Sequence, residues 1–316
     1  MRIDAENSEL RQIEVDKIDR NPENPRIIFR PKELEELLES IRVYGVQVPI
    51  TVYKQGGRFV LIDGERRWKC CLKLNKKTIP ALVQKKPSAL TNLLLMFNIH
   101  ALREQWDYLT IAIKLPRVIK FLAEELGREP TEIELSERSG LSRGAIRRCK
   151  LLIDLPEQYQ QEVLKELNKP KSQQILSEDL FIEMERALKT VERAFPNVIE
   201  NKDVARRVLI DKYKKDVIGS VTEFRQVGKI ARAENVQADK GKASRALRTL
   251  LQSNDYSIVR AYDDSVSEAY SERDILSRAM TLKDFLKTLN VDDLDEQIEK
   301  ALRALQKEID RLLGRD

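Results

Sequence analysis

The sequence predicts an α+β amino-terminal domain followed by a mainly α region, which contains a helix-turn-helix and a helical carboxyl-terminal part. Strand signals, which are short apolar runs bounded by turn residues, are confined to residues 13–85. Beyond residue 88, apolar residues recur at three- and four-residue spacings, which indicates helices. A chain of 316 residues is longer than one domain of roughly 100–200 residues. We therefore expect three domains, over residues 1–88, 89–160 and 161–316.

The composition favours a folded, helix-rich protein over a disordered chain. Hydrophobic residues make up 41% and charged residues 34% of the sequence. No apolar run approaches the roughly 18 residues that a membrane span needs, and the amino terminus has early acids and no apolar signal core. We expect a cytoplasmic protein. The net charge of +5 permits binding to polyanions without requiring it.

Cysteine and histidine usage argues against zinc chemistry and against a Ser-His-Asp triad. The three cysteines are Cys70, Cys71 and Cys149, and the adjacent pair lacks the spacing that grips one zinc ion. His100 is the only histidine in the sequence. We expect reduced, partly buried thiols and no hydrolytic centre of these types.

The amino-terminal domain is predicted to alternate helices and strands. A helix begins at Pro31 and ends before Gly45, and its apolar face has three- and four-residue spacings. Residues 48–53 and 58–62 are predicted strands joined around Gly56-Gly57. A second helix begins after Gly64 and runs to about residue 74, and a third strand follows at 79–83. The apolar face of the first helix consists of Leu34, Leu37, Leu38 and Ile41.

The last helix carries an apolar stripe at three- and four-residue steps. Such a stripe is as typical of a core face as of a dimer seam, and its short length leaves both alternatives open. Its members are Leu294, Ile298, Ala301, Leu302, Leu305, Ile309 and Leu312.

The segment from Thr131 to Leu152 has the pattern of a helix-turn-helix. Thr131 can cap a helix with Glu134 three residues on, Gly140 supplies a tight turn, and Ser142 caps a second helix. We expect Leu135, Leu141 and Ile146 to pack the two helices together. An ordinary helix pair with a solvated basic face is the alternative.

The outward side of the second helix is predicted to bind DNA. It presents several cations and no acid, and arginine offers paired donors to guanine edges and charge to phosphates. Arg143 and Arg147 are expected nearest the bases. The predicted DNA-binding residues are Ser142, Arg143, Arg147, Arg148 and Lys150.

A four-residue run, Gly64-Glu65-Arg66-Arg67, lies at a strand-to-helix junction. The glycine allows close approach of an anion, the helix start offers free N–H groups, and the arginines add charge-assisted donors. The run therefore predicts a phosphate site, with a surface cluster of ion pairs as the alternative.

The order of these motifs resembles the amino-terminal region of ParB-like chromosome and plasmid partition proteins. The resemblance covers residues 13 to about 160 and includes the predicted helix-turn-helix. The motifs that carry it are Val15-Asp16-Lys17-Ile18, Asn24-Pro25-Arg26, Leu37-Leu38-Glu39-Ser40-Ile41, Tyr44-Gly45-Val46, Pro49-Ile50, Gly64-Glu65-Arg66-Arg67-Trp68, Leu151-Leu152 and Leu155-Pro156.

The resemblance implies a CTP-binding domain coupled to a DNA-binding domain, with partition or associated gene regulation as the role. Magnesium would accompany the nucleotide, and Asn98 is the residue that the resemblance offers as its ligand. Gly64, Glu65, Arg66 and Arg67 would hold the triphosphate, and Ser40, Gly45 and the following turn with Gln47 would line the pocket. The implied partners are double-stranded DNA, a second copy of the chain, and a protein bound by the carboxyl-terminal region, with no membrane.

Two departures from the family pattern predict weak CTP hydrolysis. Val48 precedes Pro49 where hydrolysing members have glutamine, and Gln47 lies one place early. Phe97 stands beside Asn98 where the family has a magnesium carboxylate, and phenylalanine supplies no oxygen ligand.

Two other function classes stay open at the sequence level. A small-molecule kinase or nuclease on this fold would use Glu65 or Asp63 as a general base. A DNA-bound adaptor would use the helical carboxyl-terminal half to bind another protein. A shape change with CTP would separate a switch from an adaptor, and phosphate transfer to serine would identify the kinase.

Overall fold

The computed structural model describes residues 9–26, 28–101, 107–290 and 294–315, with the side chains of 99–101 outside the description. The chain divides into two compact units, Met1–Lys189 and Thr190–Asp316. The predicted sheet domain and the predicted helix-turn-helix both lie in the first unit. The boundaries expected at residues 88 and 160 stay predictions.

A five-stranded mixed sheet forms the amino-terminal part of the first unit. Its strand order is β1-β5-β3-β4-β2, with antiparallel β1/β5 and β3/β4 pairs and parallel β5/β3 and β4/β2 pairs. The strands are β1 (Glu9–Glu14), β2 (Ile18–Asp19), β3 (Ile50–Gln55), β4 (Arg58–Asp63) and β5 (Thr78–Gln84). This sheet with its helices confirms the predicted α+β class.

The predicted hairpin and third strand are confirmed. Gln55 pairs with Arg58 across a two-residue turn, Gly56-Gly57, in which Gly56 has a φ of 61°. Positive φ at a hairpin turn matches the twist of the strands, and glycine adopts it without steric cost. β3 begins at Ile50, two residues later than expected.

Two edge elements of the sheet, β1 and β2, were not anticipated. In β1 only Ile13 is buried, so its sequence lacks the alternation that marks a half-buried strand. The β2 strand has two residues and is recognisable only from its pairing with β4.

Helices α1 (Pro31–Tyr44) and α2 (Glu65–Lys73) pack against one another, and their apolar faces close the core on the sheet. Gly45 ends α1 with a φ of 74°, as expected from its position. The shared core contains Ile13, Val15, Ile18, Ile41, Ile50, Val52, Leu61, Cys70, Cys71, Ile79 and Ala81.

The rest of the first unit is helical, and the division between units falls within its last helix. No helix of the described chain is long and apolar enough to cross a membrane. The helices are α3 (Ala89–Ala101), α4 (Tyr108–Leu126), α5 (Glu132–Ser139), α6 (Arg143–Ile153), α7 (Glu157–Leu167) and α8 (Glu178–Ala194).

The second unit is formed by six further helices. The first four bury a core that includes Leu209, Ile230, Leu247 and Ile258. The fifth and sixth have no buried residue. They are α9 (Lys202–Lys214), α10 (Phe224–Ile230), α11 (Lys240–Gln252), α12 (Ile258–Asp263), α13 (Ser267–Leu286) and α14 (Glu296–Leu312).

The apolar stripe predicted for the last helix lies on α14 and just before it. Ile298 and Leu305 are each 37% exposed and Leu312 is 73% exposed. Within the described residues of a single chain, this stripe is therefore not a core face. The dimer-seam interpretation is the alternative that stays open.

Candidate nucleotide pocket and nucleic-acid interface

A pocket of about 190 Å³ opens beside the amino terminus of α2. All four residues of the predicted phosphate run line it, together with residues of the Asn-Pro turn segment and of α1. The lining consists of Asn24, Arg26, Phe29, Leu37, Asp63, Gly64, Glu65, Arg66 and Arg67.

Because Gly64 has no side chain, the pocket reaches close to the protein backbone at this residue. Its φ is 94°, and a Cβ built there would lie 2.6 Å from Cγ2 of Ile50. Both the left-handed conformation and the contact with the first residue of β3 exclude a larger side chain. The α2 helix begins at the next residue, so its unpaired N–H groups lie at this wall of the pocket.

Two guanidinium groups on the pocket wall share one carboxylate. Nη2 of Arg66 donates to the carbonyl of Glu33 at 2.7 Å, and Nη1 lies 3.5 Å from its carboxylate. Arg26 reaches the same carboxylate at 3.2 Å. Burial, and next the positive charge of Arg66, lower the pKa of Arg26. Two cations with one shared acid make this wall favourable for an anion.

Arg67 is turned toward the start of β3. It donates to Oδ2 of Asp63 at 2.9 Å, to the carbonyl of Pro49 at 2.6 Å and to the carbonyl of Val48. These bonds hold the segment that enters β3. Arg67 therefore lies at the pocket with its donors committed to protein atoms, unlike the arrangement expected for a phosphate ligand.

Glu65 lines the pocket, and its carboxylate is held by neighbouring protein groups. Its carboxylate is buried, accepts a 2.7 Å hydrogen bond from Nδ2 of Asn24, and lies 2.9 Å from both Arg20 and Lys69. The ammonium of Lys69 in turn lies 3.3 Å from the centre of the Phe29 ring. A carboxylate held by these partners suits a structural role better than that of a general base.

The other predicted nucleotide residues at the end of α1 lie outside the pocket lining. Ser40 is exposed, and Gly45 forms the end of α1. The side chain of Gln47 is exposed and donates to the carbonyl of Tyr44. Val48, which replaces the family glutamine, is 62% exposed.

The predicted magnesium ligand lies elsewhere in the unit. Nδ2 of Asn98 donates to the carbonyls of Leu94 at 2.9 Å and Arg138 at 3.2 Å, which ties α3 to the end of α5. Phe97 is fully buried. The side chain of His100 lies outside the described residues. Among the residues that the structure describes, no group of three His, Cys, Asp or Glu could hold a metal ion.

Helices α5 and α6 have the caps and turn that the sequence predicts. Thr131 and Glu134 form a reciprocal capping box, Gly140 has a φ of 73°, and Ser142 accepts a 3.1 Å hydrogen bond from the Ala145 N–H. The packing residues Leu135, Leu141 and Ile146 are buried, as expected.

The outward face of α6 exposes Arg143 and Arg147 by more than half of each side chain, 54% and 58%. An acid from α5 partly neutralises this face, which the sequence of α6 alone does not reveal. Nε of Arg147 lies 2.9 Å from the carboxylate of Glu132, and Nε of Arg143 lies 4.0 Å from it.

A basic groove of about 560 Å³ runs along α6 beside its outward face and includes Arg147 in its lining. The sequence predicted Arg147, Arg148 and Lys150 as DNA-binding residues on the outward side of the helix, but it did not predict the two cations from α8. Those residues lie far along the chain, and only the packing of α8 brings them to the groove. The groove is lined by Gly144, Arg147, Arg148, Lys150, Leu151, Arg186 and Lys189.

The start of α4 contacts both the segment beside the nucleotide pocket and the basic side chains of α6. Asp107 lies 2.8 Å from Arg30, which follows the pocket segment. Arg148 lies over the ring of Tyr108 at 5.2 Å. The carboxylate of Glu178 accepts the N–H groups of Tyr108 at 3.0 Å and Leu109 at 2.6 Å, and its burial raises its pKa to about 7.

Comparisons with known proteins find similarity over about half of the chain. Residues 1–99 match the family model described as the ParB N-terminal domain. The probable chromosome-partitioning protein ParB of Pseudomonas putida is 34% identical over 157 residues, which cover 49% of this chain and 51% of that protein. The nucleoid occlusion protein of Geobacillus kaustophilus is 31% identical over 161 residues, covering 50% and 54%. The chain thus spans about half the length of the curated relatives it matches.

Two solved structures of truncated ParB from Caulobacter crescentus are also similar. The complex with CTP-gamma-S is 30% identical, covers 50% of this chain and 84% of that chain, and has a TM-score of 0.29. The complex with the centromeric parS site is 21% identical, covers 70% and 98%, and has a TM-score of 0.42.

Proposed function

We propose that this chain, a member of the ParB family through its amino-terminal half, is a sequence-specific DNA-binding protein of plasmid or chromosome partition, or of associated gene regulation. The observation that carries the proposal is the exposed cationic face of α6, with its polar cap at Ser142 and its tight turn at Gly140. The relatives named for chromosome partitioning and nucleoid occlusion support the same role.

In this proposal the two sides of α6 have different tasks. Arg143 and Arg147 contact base edges in the major groove, where an arginine discriminates guanine by about 1–3 kcal/mol. Ser142, Arg148 and Lys150 contact the phosphate backbone, with Arg186 and Lys189 extending that contact along the groove. Phosphate contacts fix the register of the protein on DNA, and base contacts give the sequence preference.

The test begins with DNA recovered from cells by crosslinking to the full chain. The double substitution Arg143→Ala and Arg147→Ala should abolish preference for the recovered site. Lys76→Ala with Lys77→Ala is the matched control, because it removes the same charge from exposed positions of the sheet domain. Site-specific binding that survives the Arg143 and Arg147 substitutions would remove this helix from the interface.

We also propose that CTP binds at the pocket beside α2 and switches the DNA-bound state. The backbone N–H groups at Gly64 and at the start of α2 donate hydrogen bonds to the phosphates, and Arg66 and Arg26 supply positive charge, which favours a polyphosphate. Glu65 holds the wall in place, and Arg67 positions the entry to β3. Ser40, Gly45 and Gln47 then lie toward the nucleoside end of the ligand.

Magnesium bound with the nucleotide would neutralise phosphate charge. The described residues fit a triphosphate better than they fit a metal ion, because the basic wall is present and the position of Phe97 offers no oxygen ligand. Asn98 is the proposed protein ligand, and its side-chain oxygen Oδ1 can bind a cation while Nδ2 keeps its hydrogen bonds to the carbonyls of Leu94 and Arg138.

Calorimetric titration of the full chain with CTP, ATP and GTP tests the pocket. We expect heat with CTP that is lost in Arg66→Ala and retained in Arg58→Ala. Arg58 is a suitable control because it is an exposed arginine of the same domain whose ion pair with Asp19, at 2.7 Å, lies on β4 and β2. Absence of heat with all three nucleotides at millimolar concentration would exclude a nucleotide role. Transfer of phosphate to serine would instead favour a kinase.

The exposed stripe of α14 supports a homodimer as the working assembly. Ile298, Leu305 and Ile309 recur on one face of a helix that buries nothing in the described chain. Pairing two copies of this face would remove apolar surface from water and place two DNA-binding units on one site. We propose that the dimer acts in the cytoplasm on the nucleoid or a plasmid, and that a protein partner uses the carboxyl-terminal region.

A further inference from the structure

The second unit contains a helix pair built like α5 and α6. In the first pair, Gly140 has a φ of 73°, one residue follows, and Ser142 caps α6. In the second unit, Gln237 has a φ of 56°, one residue follows, and Asp239 caps α11. Both turns thus contain a left-handed residue two positions before a polar cap. The preceding helix is α10, extended by a 3-10 turn at Ala233–Val236.

The two caps work in the same way. Oγ of Ser142 accepts the N–H of the third helical residue, Ala145, at 3.1 Å. Oδ1 of Asp239 accepts the N–H of the third helical residue, Lys242, at 3.0 Å, and also that of Gly241 at 2.7 Å. Each cap fixes the direction in which its helix leaves the turn, because it satisfies donors that have no partner inside the helix.

The first turns of α6 and α11 agree at four of their first six positions, and the third and fifth positions differ, with Ala145 and Arg147 in α6 against Lys242 and Ser244 in α11. Each helix begins with a cation, Arg143 or Lys240, and has glycine second. The fourth residue is fully buried in both. The sixth is arginine in both, Arg148 in α6 and Arg245 in α11. The shared pattern is a cation, a glycine, a buried fourth position and an outward arginine.

The exposed face of α11 is cationic. Its buried face, which includes Ala243, Ala246, Leu247 and Leu250, packs against α9 and α12, which leaves the opposite face to solvent. Lys242, Arg245 and Arg248 are exposed and follow one another at three-residue steps. Such steps place them on one side of the helix.

These cations are only weakly neutralised. Within the described part of the chain, Lys242 and Arg245 form no ion pair, and Arg248 donates only to the carbonyl of Asn197 at 3.4 Å. The nearby acid is the cap Asp239, whose pKa is lowered first by the backbone N–H of Lys242. Residues 224–248 contain seven Lys or Arg and two Asp or Glu, so this segment alone carries a formal charge of +5.

We propose that α11 is a second DNA-binding helix, which contacts the phosphates of duplex DNA through Lys242, Arg245 and Arg248. Duplex DNA fits this surface better than a protein or a membrane does. The exposed face of α11 has no large apolar side chain, whereas a protein interface needs buried aromatic or aliphatic anchors. A membrane surface likewise needs an apolar face beside the charges.

This proposal is independent of the DNA-binding role of α6. The chain would then have two contacts with DNA, one in each unit. A bipartite contact of this kind lengthens the DNA segment that one chain covers and raises the salt dependence of binding, because every phosphate contact releases counterions.

The test measures affinity for duplex DNA as a function of salt in the full chain. The triple substitution Lys242→Gln, Arg245→Gln and Arg248→Gln should lower the slope of log affinity against log salt by about 2–3 and the low-salt affinity about tenfold or more. The matched control is Arg278→Gln, Lys283→Gln and Lys287→Gln, which removes three exposed cations from α13 and its C-cap in the same unit. Circular dichroism and thermal melting verify that both variants fold.

Combining the substitutions of α6 and α11 in one chain separates the contributions of the two helices to DNA binding. The Arg143→Ala and Arg147→Ala chain should retain salt-sensitive, sequence-independent DNA binding, and addition of the α11 triple substitution should remove it. If the α11 triple behaves like the α13 control, or if the α6 substitutions alone abolish all DNA binding, the proposal is overturned. Binding of anionic vesicles or of polyglutamate that depends on the same three cations, with DNA binding unchanged, would also overturn it.

Discussion

At the scale of single residues, the pocket depends on a glycine whose replacement would strain the backbone and crowd a neighbouring strand. A Cβ at Gly64 would be pressed against Ile50 at 2.6 Å while the backbone holds a φ of 94°. Relief would require β3 or the start of α2 to move. Both elements supply walls of the pocket, so strain at this residue would alter the predicted phosphate site directly.

We therefore expect Gly64→Ala to lower the free energy of unfolding by about 1–3 kcal/mol. Urea unfolding of the full chain measures this change. Gly57→Ala is the control, because a Cβ there meets nothing within 4 Å and its φ lies outside the left-handed region. Equal stability of the two variants would show that β3 accommodates the added methyl group.

Glu178 is an acid whose burial changes its pKa. Its burial raises its pKa to about 7, from the ordinary value of 4.5 for this carboxyl group. The folded state holds the proton of Glu178 more tightly than the unfolded state does. The stabilisation that this protonated carboxyl gives to the folded state is therefore complete below about pH 4.5. It is lost as pH rises through about 7.

We expect the melting temperature of the wild type to fall between pH 5 and pH 8 relative to that of Glu178→Gln, which cannot titrate. The comparison uses thermal melts at matched ionic strength. Parallel curves for the two proteins across this range would mean that Glu178 does not titrate there. Glu157→Gln, which removes an exposed acid at the start of α7, should keep the wild-type dependence.

At the scale of elements, the recognition face of α6 is shaped by α5. Glu132 is in the first turn of α5 and pairs with Arg147 at 2.9 Å. The carboxylate must give up this pair when Arg147 turns to DNA, and it also repels the phosphates. An exposed pair of this kind contributes only about 0–1 kcal/mol, so the cost is modest and measurable.

Glu132→Gln should therefore bind DNA several-fold more tightly at low salt, since removal of the acid frees Arg147 and lowers repulsion. Fluorescence anisotropy with a labelled duplex measures the affinity. The control is Glu137→Gln, which removes the same charge from an exposed position of the same helix. An equal gain in both variants would indicate a general charge effect.

At the scale of the whole molecule, nucleotide binding and nucleotide cleavage need different groups. Binding needs the basic wall and the helix start, which this chain has. Cleavage also needs a positioned water and a metal carboxylate. Val48 is exposed and Phe97 is fully buried, and the amide of Gln47 donates to the carbonyl of Tyr44.

We expect CTP hydrolysis by the full chain to be slow or absent even with its DNA site present, so that switching depends on binding and release. Phosphate release with DNA and CTP measures the rate. A robust rate that DNA stimulates and Arg66→Ala abolishes would show that other groups complete the catalytic site.

The sequence by itself determined the features that depend on neighbours within about four residues. The capping box of Thr131 and Glu134, the turn at Gly140, the hairpin at Gly56-Gly57 and the apolar face of α1 all follow from such contacts. Their physical basis is short-range, since caps, turns and periodic burial are set by adjacent backbone geometry. The fold class and the cationic face of α6 follow from the same patterns.

Only the tertiary structure decided which distant residues share a site. Glu178 caps the start of α4 across 70 residues, and Arg186 and Lys189 join the groove of α6 from another helix. Two predicted phosphate ligands likewise contact protein groups instead. Glu65 is buried, and Arg67 pairs with Asp63. A sequence pattern records which side of a helix is charged, but the partner of each charge is chosen by packing between elements.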